Sequence, residues 1–402
     1  MSGGVDSSVA AWLLRREGHK VQGIFMRHEY QPALSEEECR EFLRRIPFVP
    51  RVCFLTDNGT VLQTEYSVDQ FLIPREAAVA AEIAGSLGIE FTVFDACRQF
   101  RSVVDYFVRE YFAARTPNPC AFCNRNLKFG FLWDIIRGLG GEMMATGHYV
   151  QLENHQNWIR EQEDQNEPIP DWLRNQPSNQ LFLKRSDSPK DQSYFLFDIR
   201  KEMLSRLRFP IGSLIKNDVR RIAAEAGLQG AGFSMAAKKE SQEVCFVPDT
   251  DCAAFLRRFA PEQDTSGAFI STEGKIIGQH SGYEKYTVGQ RKGLGMGFGE
   301  RIFVQKIDPI NKTVMLGPRE ALACREIRAK NCHWHLDIPK DQEFRCEIRI
   351  RYRNPAVMAT VRVDGEGNLI AEPDEPRYGV AAGQALVCYL GRRLLGGGWI
   401  DS

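Results

Sequence analysis

Along the first two hundred residues the apolar positions alternate between two periods. "REAAVAAEIAGSLG" (75–88) repeats its apolar residues at helical spacing, while "IEFTVF" (89–94) and "GEMMATGHY" (141–149) are short apolar runs of strand length. That rhythm predicts a parallel sheet covered by helices, an α/β domain over residues 1–200. Two polar stretches interrupt it. Residues 28–70 hold Pro32, Pro47, Pro50 and "TDNGT", and "ENHQNWIREQEDQNEPIPDWLRNQPSNQ" (153–180) is rich in Asn, Gln and Glu; both are read as insertions on loops. A shorter region, 201–280, contains one helical pattern, "KNDVRRIAAEAG" (216–227), with Asn217 as the expected N-cap and Gly227 as the expected stop. Over 281–402 the pattern becomes short alternating runs, "RIFVQKI", "TVMLG", "FRCEIRIRYR", "ATVRVDG" and "ALVCYL", divided by Gly, Pro and Asn. Such spacing predicts a β-barrel or sandwich.

Composition narrows the function classes. The 402 residues are 43% hydrophobic and 26% charged, enough for two or three domains with real cores. No run approaches the roughly 18 apolar residues that span a bilayer, and the start lacks a secretory signal pattern, so a cytoplasmic protein with no membrane partner is expected. The 52 basic and 52 acidic residues cancel, and any nucleic-acid surface must therefore be a local patch. Eleven cysteines, an odd number scattered through a long chain, fit a reducing compartment better than a disulfide framework.

Chemistry concentrates in two places. The chain opens "MSGGVDSSVAAWLL", glycines and hydroxyls directly ahead of a helical run. Backbone N–H groups of Ser2 to Ser8 and the positive end of that helix would form an anion nest, with Gly3 and Gly4 letting the backbone approach phosphate. The lysine of the G-x-x-x-x-G-K-[ST] loop is missing. The second place is cysteine. "RTPNPCAFCNRNLKFG" (115–130) sets Cys120 and Cys123 after a Pro-Asn-Pro turn, where a first helical turn would favour thiolate, and "KKESQEVCFVP" (238–248) sets Cys245 near Lys238 and Lys239. Cys39, Cys53, Cys97, Cys252, Cys324, Cys346 and Cys388 read as small packed hydrophobes. One CxxC pair and an isolated "NCHWH" (331–335) argue against structural zinc.

"SGGVDS" resembles the loop of the PP-loop ATP pyrophosphatases. The set "SGGVDSS", "TPNPCAFCN", "ATGHY", "KDQSYFL", "SQEVCF", "TVGQRKGLG", "RYR" and "AGQA", in this order along nearly the whole chain, resembles the tRNA-specific 2-thiouridylases. The resemblance implies a parallel-sheet PP-loop domain, a small central domain carrying Cys245, and a C-terminal β-barrel that binds tRNA. It implies replacement of the 2-oxo oxygen of a wobble uridine by sulfur, using ATP and Mg²⁺. Met1, Ser2, Gly3, Gly4, Val5, Asp6, Ser7, Ser8, Met26 and Gly147 would then bind ATP. Cys245 would carry a persulfide and Cys123 would be the nucleophile, leaving a disulfide between them. Asn118, Pro119, Cys120, His148, Lys190, Asp191, Gln192, Arg351, Tyr352 and Gln384 would meet the tRNA, chiefly its anticodon arm. A sulfur-relay protein or cysteine desulfurase would supply the persulfide, and the protein is expected to be a monomer.

By the same resemblance, Cys120 occupies a position where some members have an aspartate, a candidate proton acceptor, and others the same CxxC pair. Cys120, Cys123 and Cys245 could instead ligate a [4Fe-4S] cluster with one open iron. Two further readings are a catalytically inactive tRNA-binding homologue and another PP-loop adenylating enzyme. Family members also carry a short apolar strand ahead of the loop, so translation is expected to begin upstream of Met1.

For tRNA contact, Arg345, Arg349, Arg351 and Arg353 fall on one strand face by period two, with Cys346, Ile348, Ile350 and Tyr352 on the other. Arg351 and Tyr352 would touch the same partner only if one sat at a bulge or strand end. "KYTVGQRKGLGMGFG" (285–299) adds Lys285, Arg291 and Lys292, and Phe298 and Glu300 stand where a dinucleotide loop would need its third glycine.

Overall fold

The computed structural model describes residues 1–164, 169–228, 244–247, 251–294 and 301–401. Lys238, Lys239, Phe298 and Glu300 lie outside the described residues. The chain divides into two compact units. One comprises Met1–Ser102, Cys123–Ile169 and Pro177–Gln242, the other Val103–Phe122, Pro170–Gln176 and Glu243–Ser402.

The first unit starts with α1 (Val5–Arg16), β1 (Gln22–Arg27), α2 (Glu36–Arg45), β2 (Arg51–Leu55), β3 (Val61–Glu65), α3 (Arg75–Leu87), β4 (Glu90–Asp95) and the opening turns of α4 (Cys97–Phe112). The sheet order is β1-β4-β2-β3, with β4 parallel to both β1 and β2 and only β3 antiparallel. In α3 the small residues Ala77, Ala78, Ala80, Ala81 and Ala84 are buried, which lets the helix lie close on Phe25, Val52 and Val93 of the strands.

The stretch 28–70 is not a loop insertion. It supplies α2, β2 and β3, and β2 lies inside the sheet with Val52 and Cys53 fully buried. Ser35 caps α2 by accepting from the Glu38 N–H while Glu38 reaches back to the Ser35 N–H, a capping box that starts the helix in a polar sequence. Cys39 and Phe42 on its inner face then join the core.

After α5 (Pro119–Cys123), which begins in the second unit, the first unit continues with a π-helical segment (Asn124–Phe131), α6 (Leu132–Gly138), β5 (Met144–Ala145), β6 (Val150–Asn154), α7 (His155–Asp164), β7 (Leu181–Arg185), β8 (Leu207–Arg208) and α9 (Lys216–Glu225), while α8 (Asp171–Arg174) belongs to the second unit. The second polar stretch is also structured. α7 buries His155 and Trp158, stacked with ring centroids 6.0 Å apart, and β6 pairs antiparallel with β7. Asn217 does not cap α9. Ile215 occupies the N-cap and Lys216 is already helical, while Gly227 just past the end takes φ +65° as expected of a stop. α9 packs on α1.

The second unit contains α10 (Cys252–Arg257) and two β assemblies. β9 (Gly267–Ile270), β10 (Ile276–His280), β11 (Phe303–Asp308) and β12 (Thr313–Gly317) form a sheet of order β10-β9-β12-β11 over a core of Phe269, Tyr283, Tyr286, Val304, Val314 and Leu316. After β13 (Ala323–Cys324), the strands β14 (Ile327–Trp334), β15 (Glu343–Arg349), β16 (Val357–Val363), β17 (Leu369–Pro373), β19 (Ala385–Leu390) and β20 (Arg393–Ile400) close an antiparallel barrel, β20 pairing back to β14; β18 (Arg377–Tyr378) pairs with β13. Closure leaves these six strands no open edge, and Phe344, Cys346 and Ile348 alternate into the interior.

Candidate functional site

The nest is narrower than Ser2 to Ser8. The Ser2 N–H donates to Ser7 Oγ at 3.0 Å, and the Ser8 N–H closes the first helical bond to the Gly4 carbonyl at 3.3 Å. Gly4 is the N-cap and brings no side-chain cap, so the first-turn N–H groups of Gly4, Val5, Asp6 and Ser7 have no acceptor within the helix. Both Ser7 Oγ and Ser8 Oγ instead donate to the Gly4 carbonyl, at 3.1 and 3.0 Å, which fixes the turn. Gly3, at φ +69°, passes so close to α3 that a Cβ would stand 2.3 Å from the Glu76 carbonyl oxygen. A Cβ on Gly147 would stand 2.7 Å from the Ser7 nitrogen. Close backbone packing at Gly3 and Gly147 thus fixes the loop at a helix start whose first-turn N–H groups are suited to phosphate oxygens. Met26, near the C-terminal end of β1, holds Gln31 through its carbonyl at 3.3 Å.

Around Asp6 of the loop and Lys190 the structure adds Lys216 and Tyr149, which the sequence did not single out. The Lys216 ammonium bonds both Asp6 carboxylate oxygens, at 2.7 and 2.9 Å, and the Tyr149 hydroxyl donates to Oδ1 at 2.7 Å. Burial and the neighbouring Asp6 carboxylate push the Tyr149 phenol up from its ordinary range. Lys190 is held below the usual lysine range by burial and by the nearby Lys216 ammonium, with Arg220 adding to it. No local signal marks these residues, since Asp6 and Lys216 are 210 positions apart.

Of the "KDQ" turn, Asp191 is buried and its carboxylate accepts from the Ser186 N–H and from the Ser193 N–H and hydroxyl, while Gln192 is bonded to both backbone groups of Tyr149. These two side chains shape the turn that presents Lys190. The His148 Nδ1 lies 2.7 Å from Thr146 Oγ1, and burial beside the Lys128 charge lowers its pKa to about 3, so the ring is neutral at physiological pH.

The cysteine loop is held by its own unit. Asn118 caps α5 through Oδ1 to the Ala121 N–H at 3.2 Å, its own N–H goes to the Tyr106 hydroxyl, and Tyr106 stacks on Phe122 at 4.3 Å. From the barrel, the Gln384 amide donates to the Thr116 and Pro117 carbonyls at 3.1 and 2.9 Å, and the Thr116 N–H bonds the Ala382 carbonyl. Gln384 therefore fixes the Pro-Asn-Pro turn. On α5 Cys120 is exposed and Cys123 buried, and the π-helical segment begins at the next residue. Such widened turns recur at functional sites. Cys245 is exposed on a short turn anchored by Phe246, whose ring packs against Phe107 and Phe255 at 5.2 and 5.5 Å.

The arginine stripe is divided. β15 ends at Arg349, so Arg351 and Tyr352 both lie past the strand end and the alternation that separated them does not apply. Arg345 is bound by Asp374 at 2.7 and 2.6 Å and is neutralised, and Arg351 donates to the Val288 carbonyl at 2.8 Å. Arg353 is exposed.

Among the described residues no group of three His, Cys, Asp or Glu side chains is placed to hold a metal ion, and no helix is long and apolar enough to cross a membrane. Three family descriptions cover the chain: a "tRNA methyl transferase HUP domain" over 1–46 and 50–249, a "tRNA methyl transferase PRC-barrel domain" over 253–318 and an "Aminomethyltransferase beta-barrel domain" over 324–400. Over its full length the chain is 38% identical to the tRNA-specific 2-thiouridylase MnmA of Rhodopirellula baltica, covering 94% of that protein. It is 37% identical to that of Chloroflexus aggregans and 36% to that of Acidithiobacillus ferrooxidans, again end to end, covering 96% and 97% of them. The chain belongs to the tRNA-specific 2-thiouridylase family. As a 2-thiouridylase-family protein it is an enzyme of the tRNA sulfurtransferase class, and its HUP domain, with the loop fixed at Gly3 and Gly147, fits ATP binding.

Proposed function

We propose that the protein thiolates C2 of the wobble uridine in tRNA at the expense of ATP. The observation that carries this reading is the fixed loop at the start of α1, with its first-turn N–H groups, in a chain of full-length 2-thiouridylase kinship. A uracil carbonyl oxygen is a poor leaving group. In the proposed first step O2 attacks the α-phosphate, the Pα–O bond to the β-phosphate breaks, and its electron pair leaves with pyrophosphate. The first-turn N–H groups face the developing charge. Mg²⁺ carried in with the nucleotide would supply further charge neutralisation.

Sulfur follows. The terminal sulfur of a Cys245 persulfide attacks C2 and AMP departs with the C–O electron pair. The Cys123 thiolate then attacks Cys245 Sγ, breaking the S–S bond to release 2-thiouridine and leave a Cys123–Cys245 disulfide. A thiol reductant must reopen that disulfide, and a sulfur-relay protein or cysteine desulfurase must reload Cys245, which suits the cytoplasm. The exposure of Cys245 supports access by a donor. The persulfide route needs no iron–sulfur cluster. The anticodon arm would be held by Lys190, His148, Arg351 and Tyr352, with Asn118, Pro119 and Cys120 around the flipped base.

Nucleoside mass spectrometry of tRNA from a strain lacking its own 2-thiouridylase tests the reading. Expression of this chain should restore 2-thiouridine. Uridine left unmodified at the wobble position in the presence of folded protein would contradict it.

A further inference from the structure

Lys216 breaks a local rule. It is the first helical residue of α9, where the helix dipole disfavours a cation, and its side chain is nevertheless only 12% exposed there, against Asp6 in the first turn of α1. Two positive helix ends thus meet at one carboxylate, and that carboxylate is shared with the Tyr149 hydroxyl. Lys190 feels Lys216, Arg220 and Asp6, and Arg220 also acts on Tyr149. Lys216, held on Asp6, therefore adds positive charge beside first-turn N–H groups that have no acceptor in the helix, with Lys190 within electrostatic reach of both Lys216 and Arg220. Positive charge collected where local propensity opposes it marks a place built for an anion.

We infer that Lys216, assisted by Arg220, holds the β- and γ-phosphates of ATP and then the departing pyrophosphate. This rests on the adenylation proposed above. The ammonium of Lys216 turns from Asp6 to the phosphates when ATP binds, and it stays on pyrophosphate as the electron pair of the broken Pα–O bond passes to that group. Asp6 and Tyr149 keep the lysine extended toward the loop in the free enzyme, so little side-chain freedom is lost when the phosphate arrives. Arg220 lies one helical turn along the same face of α9.

Calorimetric titration of the full chain with Mg·ATP, inorganic pyrophosphate and AMP separates the outcomes. Lys216→Gln should weaken ATP and pyrophosphate about 10- to 100-fold, the range for a lost charged hydrogen bond, and leave AMP within about twofold. Lys216→Arg should recover part of the loss. Arg221→Ala, on the outer face of α9 and paired with Asp218 and Glu225, should change neither. Wild-type affinity for ATP and pyrophosphate in a folded Lys216→Gln protein would overturn the inference alone. Equal weakening of AMP and pyrophosphate would also overturn it, since the lysine would then only brace the pocket. A wild-type protein that binds neither ATP nor pyrophosphate would overturn both this inference and the adenylation reading.

Discussion

Gly147 lies against the first turn of α1 so closely that a side-chain carbon on it would stand 2.7 Å from both the Asp6 carbonyl carbon and the Ser7 nitrogen. The backbone atoms of a helix start cannot yield as a flexible side chain does. Gly147→Ala should therefore cost about 1–3 kcal/mol of stability by overpacking and should also weaken ATP, because the displaced atoms are those proposed to face phosphate. Gly18→Ala is the comparison. Gly18 has φ +87°, and a Cβ added there would meet nothing within 4 Å, so alanine strains only the backbone. Thermal unfolding and ATP titration of both variants should show two destabilised proteins, only one of them deficient in nucleotide. Equal ATP affinity in the two would contradict the loop's proposed role.

The thiols should separate from the nucleotide chemistry. Cys123→Ser and Cys245→Ser should each abolish 2-thiouridine formation while tRNA-dependent release of pyrophosphate from ATP continues. Normal thiolation by a Cys123→Ser protein would remove that residue from the mechanism. A persulfide route further requires that protein stripped of iron, supplied with a persulfide donor, stay fully active.

Acid should destabilise the fold through buried imidazoles. Burial holds His28, stacked on Phe100 at 3.9 Å, down to about 4, and His148 is down to about 3. Above pH ~6.5 both are neutral whether folded or not. Below it the unfolded chain takes up protons that the folded protein refuses, so stability falls as pH drops from about 6.5 toward 4, by at most about 1.4 kcal/mol per pH unit for each histidine. Urea unfolding at a series of pH values should show this decline, and His28→Phe, which keeps the ring stack, should make it shallower. An unchanged slope in that variant would contradict the assignment.

What was legible in the sequence follows from how local each signal is. The helix at 75–88 and the strand after it are set by neighbours a few residues apart, and the proposed phosphate loop is contiguous because its binding groups would be successive backbone N–H groups. The stretch 28–70 misled because α2 turns Cys39, Phe42 and the partly buried Leu43 to the core amid charged residues, and because four of the five β3 residues are exposed on the sheet's outer strand. Both look like loop by composition. Lys216 was invisible for the opposite reason: its partner Asp6 is brought to it only by the packing of α9 on α1.

The arginine stripe should act unequally. Arg345→Ala should barely change tRNA affinity, because Asp374 already neutralises that guanidinium. Arg353→Ala should weaken all substrate tRNAs alike and flatten the salt dependence by about 0.7–0.9 in log–log slope per lost phosphate contact. Filter-binding titrations across a salt series check both; a loss confined to one tRNA would indicate base readout instead.

Product stoichiometry tests whether sulfur enters through an adenylated uridine. Purified protein is mixed with Mg·ATP, substrate tRNA lacking the modification and a persulfide donor, and AMP, pyrophosphate and 2-thiouridine are counted in the same samples. One AMP and one pyrophosphate are expected for each 2-thiouridine, with none of the three formed when ATP is withheld. Thiolation without ATP, or accompanied by ADP and phosphate in place of AMP and pyrophosphate, would contradict it.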